Sequence, residues 1–270
     1  MGRTLSQHRP RKRFGQNFLQ DAGVIARIVA AINARAEDHL VEIGPGEGAI
    51  TAGLVDCGAT LDVIELDRDL IPALLASYGL RANFTLHNAD VLKFDFSSIR
   101  PSGSPRLRVV GNLPYNISTP LIFRLLDRTE SIADMHFMLQ KEVVERLCAT
   151  PGSRLWGRVG VMAQYQCAVE HLFDVAPHSF RPAPKVDSAI VRLTPYQNSP
   201  WPACDRSGLR RVVQASFAQR RKTLRNNLKG LIDTPALEEL GIDPQQRAET
   251  LTLEQFIAIT NALSNATHYE

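Results

Sequence analysis

The sequence lacks several features that would mark a membrane-bound, secreted or metal-dependent protein. No apolar run approaches the roughly 18 residues that a membrane-spanning helix needs. The four cysteines are far apart, which argues against a disulfide framework and against a zinc site. The first residues are basic, but they lack the apolar core of a signal peptide. We therefore expect a cytoplasmic protein with no membrane partner and no metal.

The charge of the chain is concentrated in short segments. Residues 1–15 hold five Lys or Arg and no acid, and residues 204–230 hold eight Lys or Arg against one acid. Residues 231–270 are acidic, and the rest of the chain is close to neutral. Two basic segments on a near-neutral body are typical of a protein that meets a polyanion such as a nucleic acid, although solvated arginines alone would give the same pattern.

Short apolar runs alternate with helical patterns through most of the chain. A helix is predicted from Asp21 to about Arg35, with its apolar residues on one face. Strands are then predicted over 39–44, 60–66, 83–87, 107–111 and 135–139, with helices over 48–57, 68–78 and 118–128. This alternation predicts an α/β fold with a mostly parallel sheet covered by helices on both faces. Ligands of such sheets bind beyond the carboxyl ends of the strands.

The last third of the chain changes character. Two further strands are predicted over 168–175 and 189–193, on either side of a proline-rich segment, and residues 194–202 read as a linker. From about residue 204 the pattern is helical to the end. A small helical domain is therefore expected to begin near residues 195–204.

Glycines and acids follow the first three predicted strands. Gly44, Gly46 and Gly48 follow the first, Glu65 ends the second and Asp90 follows the third. Glycines allow a tight turn and a close approach of ligand to backbone. A carboxylate after the second strand can accept hydrogen bonds from ribose hydroxyls, and one after the third can accept from an adenine amino group. The set favours an adenosine-containing ligand over a simple strand-to-helix turn, but it does not choose between a nicotinamide cofactor and S-adenosylmethionine.

The stretch G-N-L-P-Y, residues 111–115, favours S-adenosylmethionine. Hydride transfer usually needs a group that handles a proton near the fourth or fifth strand, and none is offered here. The Asn112 side-chain oxygen and the Leu113 carbonyl can instead accept both hydrogens of an aromatic amine and aim its lone pair at a methyl group. Pro114 stiffens the turn, and Tyr115 offers a face for base stacking. The alternative is an ordinary turn with a half-buried tyrosine.

Five motifs resemble one known family along nearly the whole chain. They are R-F-G-Q-N-F-L (13–19), V-E-I-G-P-G-E-G (41–48), G-N-L-P-Y-N-I-S-T-P-L (111–121), H-S-F-R-P-A-P-K-V-D-S (178–188) and F-A-Q-R-R-K-T-L-R-N-N-L (217–228). They resemble the bacterial ribosomal RNA adenine dimethyltransferases. Relatives that modify the large-subunit RNA more often have isoleucine where this chain has Leu113, which favours the small-subunit (16S) branch.

The resemblance implies a Rossmann-like class I S-adenosylmethionine-dependent methyltransferase sheet and a small all-helical C-terminal domain. Residues 1–20 would close over the cofactor, residues 21–200 would form the methyltransferase domain, and residues 201–270 would contact RNA or the ribosome.

The resemblance also assigns roles to particular residues. The target amine would be held by Asn112, Leu113, Pro114 and Tyr115, and the target base would stack on Tyr115 and Phe180. The implied cofactor-binding residues are Asn17, Leu19, Gly44, Gly46, Glu65, Asp90 and Asn112. The RNA-binding residues would be Arg11, Lys12, Arg13, Arg220, Arg221 and Lys222.

The implied reaction is dimethylation of two adjacent adenosines in the 3′-terminal hairpin loop of 16S rRNA, with a role in small-subunit biogenesis. The expected partner is 16S rRNA or the immature small ribosomal subunit, and the expected state is a monomer. Two alternatives stay open: a large-subunit rRNA adenine dimethyltransferase, and an RNA-binding assembly factor without turnover.

Overall fold

The structure, a computed structural model, describes residues 16–266, and side chains as far as residue 264. Its strands are β1 Phe18–Leu19, β2 His39–Ile43, β3 Thr60–Glu65, β4 Phe84–Asn88, β5 Leu107–Asn112, β6 Ile132–Gln140, β7 Cys167–Val175, β8 Phe180–Arg181 and β9 Ser188–Pro195. Its helices are α1 Ala22–Ile32, α2 Thr51–Asp56, α3 Ile71–Tyr78, α4 Ser118–Leu126, α5 Lys141–Cys148, α6 Arg158–Gln166, α7 Arg206–Ser216, α8 Leu224–Asn227, α9 Thr234–Glu239 and α10 Leu253–Ala266.

Seven strands form one sheet in the order β4-β3-β2-β5-β6-β9-β7. The strands from β2 to β6 pair in parallel, and β9 runs antiparallel to β6. This arrangement confirms the predicted α/β fold with a mostly parallel sheet. A separate two-stranded ladder joins β1 to β8, with Leu19 opposite Phe180, and no local pattern in the sequence predicted it.

Burial on the sheet explains why the apolar runs form strands. Every residue of β2 is buried, as expected for a central strand covered on both faces. Helix α1 buries Ile28 and Ile32 against this core. The Asp21 side chain caps α1 by accepting hydrogen bonds from the Gly23 and Val24 N–H groups. The helix ends at Asn33, whose φ of +48° is left-handed.

The chain divides into two compact units. The first runs to Val144 and also contains Glu170–Pro195, and the second contains Glu145–Val169 and the residues from Tyr196 onward. This division differs from the one expected from the sequence, because residues 145–169, including α6, group with the C-terminal residues. The sequence offered no linker at either end of that segment.

The second unit is mainly helical, but its helices are shorter and separated by more turns than the sequence pattern indicated. Helices α7 and α10 pack together, and α6 packs on α7. Leu209, Val212 and Val213 of α7 are fully buried, and Trp156 is buried with its indole N–H donating to the Leu251 carbonyl at 2.9 Å. Residues 217–223 form turns between α7 and α8. None of the helices within residues 16–266 is long and apolar enough to cross a bilayer.

Candidate active site

One cleft lies at the carboxyl ends of β2, β3, β4 and β5. It is open to solvent at its mouth, and both polar and apolar side chains line it. The structure brings together here every predicted cofactor-binding and catalytic residue: Asn17, Leu19, Gly44, Gly46, Glu65, Asp90, Asn112, Leu113, Pro114 and Tyr115 all line the cleft.

The glycine turn after β2 has backbone conformations that favour glycine. Gly44 and Gly46 have φ values of +63° and +60°, in the left-handed region that strains other residues. A Cβ at Gly46 would also lie 2.9 Å from Cδ1 of Phe18. Gly111, which the sequence did not single out, is equally constrained, because a Cβ there would clash with the carbonyl oxygen of Ile43.

Glu65 is a buried carboxylate that organises the turn. One of its oxygens accepts the Asp67 N–H at 2.7 Å and the other accepts the Gly46 N–H at 3.4 Å. Burial raises the pKa of Glu65, although these backbone donors oppose the shift. Each carboxylate oxygen can accept more than one hydrogen bond, so Glu65 retains capacity for ribose hydroxyls.

Gln16, which precedes β1, is hydrogen-bonded to the residue that donates its N–H to Glu65. Gln16 donates from Nε2 to the Asp67 carboxylate at 2.8 Å, and Asp67 is buried. Asp90 receives the Leu92 N–H on one oxygen at 3.0 Å and lines the cleft beyond β4. These groups suit an adenosine ligand. The glycine turn leaves room at the backbone, and carboxylates at the end of β3 and after β4 can accept hydrogen bonds.

Glu42 is a site residue that the sequence pattern did not reveal. It lines the cleft, is 1% exposed and accepts a hydrogen bond from the Thr51 hydroxyl at 2.7 Å. Burial, with a smaller contribution from nearby Glu65, raises the pKa of Glu42 to about 8. Its sequence signal was a single acid inside the apolar run of β2, directly before the glycine turn.

The Asn112 amide is held in a defined orientation. Its Nδ2 donates to the Asn17 backbone carbonyl at 3.1 Å. The other end of the amide, Oδ1, is left to accept hydrogen bonds from a ligand in the cleft. The backbone after Asn112 is also held in place. The Leu113 N–H donates to the Met138 carbonyl at 3.1 Å, and the Ile117 N–H donates to the Pro114 carbonyl at 3.1 Å.

The Tyr115 ring is partly exposed and anchored at its tip. Its hydroxyl lies 3.1 Å from Oγ of Ser188 on β9, which leaves the ring in the wall of the cleft. Phe180 is placed differently from the sequence expectation. It is 6% exposed and packs in the core with Leu19 and Ile190, and it does not line the cleft. Phe180 lies opposite Leu19 in the β1–β8 ladder, and its role in base stacking stays a prediction.

The predicted RNA-binding residues fall into two groups. Arg11, Lys12 and Arg13 lie outside the described residues. Arg220, Arg221 and Lys222 are exposed on the turns between α7 and α8, where Arg220 donates to the Arg154 carbonyl at 2.8 Å.

Comparison with known proteins identifies the family of this chain. The family model described as "Ribosomal RNA adenine dimethylase" matches residues 7–265. The chain belongs to this family. Among similar curated proteins, ribosomal RNA small subunit methyltransferase A of Pseudomonas aeruginosa is 61% identical, covering 96% of this chain and 97% of that protein. The protein of the same name from Saccharophagus degradans is 59% identical, covering 96% of each chain.

Two solved structures of related enzymes have folds similar to that of this chain. A dimethyladenosine transferase from Plasmodium falciparum superposes with a TM-score of 0.80 at 24% identity, covering 93% of this chain and 98% of that one. The 23S rRNA methyltransferase ErmE gives a TM-score of 0.71 at 25% identity, covering 92% and 100%. Both similarities extend over nearly the whole chain.

Proposed function

We propose that this dimethylase uses S-adenosylmethionine to dimethylate the exocyclic amines of two adjacent adenosines in the 3′-terminal hairpin loop of 16S rRNA. The observation that carries the proposal is the orientation of Asn112. With its amide nitrogen bonded to the Asn17 carbonyl, its oxygen is directed to accept a hydrogen from an incoming amine. The Pseudomonas and Saccharophagus relatives are named as small-subunit enzymes, which favours 16S rRNA over large-subunit RNA.

S-adenosylmethionine supplies an electrophilic methyl group when it is bound. Glu65 and Asp90 lie where they can hold its ribose and adenine, and Gly44 and Gly46 leave its path along the backbone open.

The chain then has to make an aromatic amine nucleophilic. The amine is a poor nucleophile because its lone pair is delocalised into the ring. Asn112 Oδ1 and the Leu113 carbonyl accept its two hydrogens, draw the nitrogen toward tetrahedral geometry and direct the lone pair at the methyl group. Leu113 is suited to this role because its own N–H is fixed to Met138.

The target base has to leave its stack to reach this position. A loop adenosine makes this step inexpensive, because loop bases are unpaired or easily extruded. Tyr115, fixed through its hydroxyl to Ser188, gives the base a stacking surface worth about 1–3 kcal/mol.

The reaction is tested with labelled S-adenosylmethionine and separate RNA substrates. The protein is incubated with small subunits lacking adenosine methylation, with naked 16S rRNA or with large-subunit RNA, and the digested RNA is analysed for dimethyladenosine. The product should carry two methyl groups on each of two neighbouring adenosines of 16S rRNA. Label in large-subunit RNA alone would support the large-subunit alternative. Cofactor binding without transfer to any RNA would support an assembly factor without turnover.

We also propose that Arg220, Arg221 and Lys222 bind RNA phosphates. All three are exposed, and each neutralised phosphate contributes to the salt dependence of binding. The double variant Arg221→Ala, Lys222→Ala should bind RNA more weakly, and the slope of log K against log salt should fall by about 1 for each phosphate that is no longer neutralised. Arg35→Ala, an exposed arginine in the other unit, serves as the control. An unchanged slope in the double variant would remove these residues from the interface.

A further inference from the structure

Segment 16–19 connects the part of the cleft that would hold the ribose to the part that would hold the target amine. All four of its residues line the cleft. Gln16 donates from Nε2 to Oδ2 of Asp67, just beyond β3, at 2.8 Å. The carbonyl of the next residue, Asn17, accepts a hydrogen bond from Nδ2 of Asn112, at the end of β5, at 3.1 Å. Consecutive residues of the segment therefore bond to the two strands on either side of β2.

The second half of the segment has anchors that do not involve Gln16. Phe18 and Leu19 form β1, which pairs with β8. The Phe18 ring also lies against the glycine turn, since a Cβ at Gly46 would be 2.9 Å from its Cδ1. Asn17 lies between this anchored strand and Gln16, so the position of its carbonyl depends on the contacts on both sides.

Asp67 is a buried acid that the mechanism above does not use. It is 1% exposed, and it is not among the described residues that line the cleft. A buried carboxylate needs hydrogen-bond donors to offset the loss of water. Oδ1 accepts the Asp69 N–H at 3.2 Å and Oδ2 accepts Gln16, while the backbone N–H of Asp67 donates to Glu65. The side chain of Asp67 therefore bonds to the protein itself and holds Gln16 beside the residue that would bind ribose.

We propose that Gln16 is a positioning residue, whose hydrogen bond to Asp67 holds segment 16–19 against the cleft, slows the loss of bound cofactor and keeps Asn112 oriented for methyl transfer. The inference rests on the proposed function. The Asn17 carbonyl fixes which end of the Asn112 amide faces the ligand. If Asn17 moves away, the amide can rotate and present its nitrogen, which is a donor and cannot accept a hydrogen from the target amine.

The first test measures how fast labelled S-adenosylmethionine dissociates from Gln16→Ala, with no RNA present. The rate should rise about tenfold, because hydrogen bonds to a carboxylate are roughly twice as strong as those between neutral groups. Gln20→Ala is the matched control, since Gln20 is the same residue type directly after β1 and is exposed. If Gln16→Ala does not fold, Gln16→Glu takes its place, because a second carboxylate opposite Asp67 also abolishes the bond.

A double-mutant cycle assigns the effect to one hydrogen bond. Asp67→Ala should also speed dissociation of the cofactor, although it removes the bond to Asp69 as well and leaves the backbone N–H to Glu65 in place. Adding Gln16→Ala to Asp67→Ala should then change the rate little, because the bond between the two side chains is already lost. If the two effects simply multiply in the double variant, Gln16 acts through another group and the proposal is overturned.

Single-turnover methylation at saturating cofactor tests the effect on Asn112. Gln16→Ala should be slower than the wild type by about threefold or more even with the cofactor bound, since a displaced orienting group slows transfer. In the Asn112→Ala background, Gln16→Ala should have no further effect on this rate.

A wild-type dissociation rate in Gln16→Ala, or a wild-type transfer rate at saturating cofactor, would overturn the proposal. If the wild-type protein methylates no RNA, the proposed function fails. The dissociation rates and the double-mutant cycle then still decide whether Gln16 holds the segment through Asp67.

Discussion

Two buried histidine–aspartate groups lie in opposite halves of the sheet and differ in how completely they are hydrogen-bonded. In the β4-β3-β2 half, Asp62 accepts from His39 and His87, each at 2.6 Å. Burial alone would raise the pKa of Asp62, but the two histidines lower it overall. In the β5-β6-β9 half, Nδ1 of His136 lies 3.3 Å from Oδ1 of Asp134, and within residues 16–266 neither ring nitrogen of His136 makes a hydrogen bond.

The difference separates polar groups that stabilise the fold from polar groups that serve a ligand. The two oxygens of Asp62 on β3 accept hydrogen bonds from His39 on β2 and from His87 on β4, so this group links the three strands. On the other side, Asn112 and His136 both line the cleft. Replacing a histidine that is bonded to Asp62 should therefore change stability, and replacing Asn112 should change catalysis.

The largest effect is expected from Asn112→Ala. This change removes the oxygen that orients the target amine, so single-turnover methylation should fall by about 10²-fold or more. Binding of RNA should be largely retained, since the exposed basic residues are intact. Asn116→Ala, at the next amide and exposed, is the control. Turnover near the wild-type rate in Asn112→Ala would show that the orientation of this amide is not used.

Glu42 is an intermediate case, because it lies on the central strand β2 and has one partner, Thr51. Its pKa is raised from an ordinary value of 4.5 to about 8. The contribution of this group to stability is therefore fully present below pH 4.5 and is lost as the pH rises through about 8. Glu42→Gln has no group that titrates at this position. Its free energy of unfolding, relative to that of the wild type, should therefore rise by up to about 1.4 kcal/mol per pH unit between pH 4.5 and about 8.

Denaturant unfolding of the ligand-free proteins at several pH values measures this difference. Glu37→Gln, at an exposed position on the loop before β2, should show no such trend. A constant difference between Glu42→Gln and the wild type across the window would mean that Glu42 is ionised in the folded protein.

The smallest effect is expected from His39→Gln, in the fully bonded half. Loss of one hydrogen bond to a buried carboxylate should reduce the free energy of unfolding by about 1–3 kcal/mol, with methylation per folded molecule unchanged. The lowered pKa of Asp62 means that its pairing stabilises above pH 3.8 and is lost as the pH falls through the folded value. The deficit of the variant should therefore narrow in acid. A larger loss of turnover than in Asn112→Ala would reverse the comparison.

The sequence predicted the features that depend on local pattern. Apolar runs placed the strands, and the rule that ligands bind at carboxyl strand ends placed Glu65, Asp90 and Asn112 at one cleft before any geometry was known. Glu42 was recognisable as an acid in an apolar run, but its burial depends on neighbours on both sides of β2. His136 occurs in the apolar run M-H-F-M-L, and its burial depends on the neighbouring strands β5 and β9.

The features of the structure that the sequence did not predict depend on contacts between distant residues. Phe180 is as suitable for stacking as Tyr115 by residue type, but its pairing with Leu19 turns it into the core. Segment 145–169 begins within helix α5, and its grouping with the C-terminal residues depends on contacts such as the hydrogen bond from the Trp156 indole to the Leu251 carbonyl. Neither contact has a signature within a short window of sequence.

The β1–β8 ladder has a consequence for the order in which the protein is made. Phe18 lies against the glycine turn, and its strand is paired with residues 180 and 181. The wall of the cleft that contains Asn17 is therefore incomplete until β8 has left the ribosome, since domains form as the chain emerges. A nascent chain ending before residue 180 should already have the glycine turn and both carboxylates, yet it should not retain S-adenosylmethionine. The protein that modifies ribosomal RNA would thus gain its ligand only late in its own synthesis.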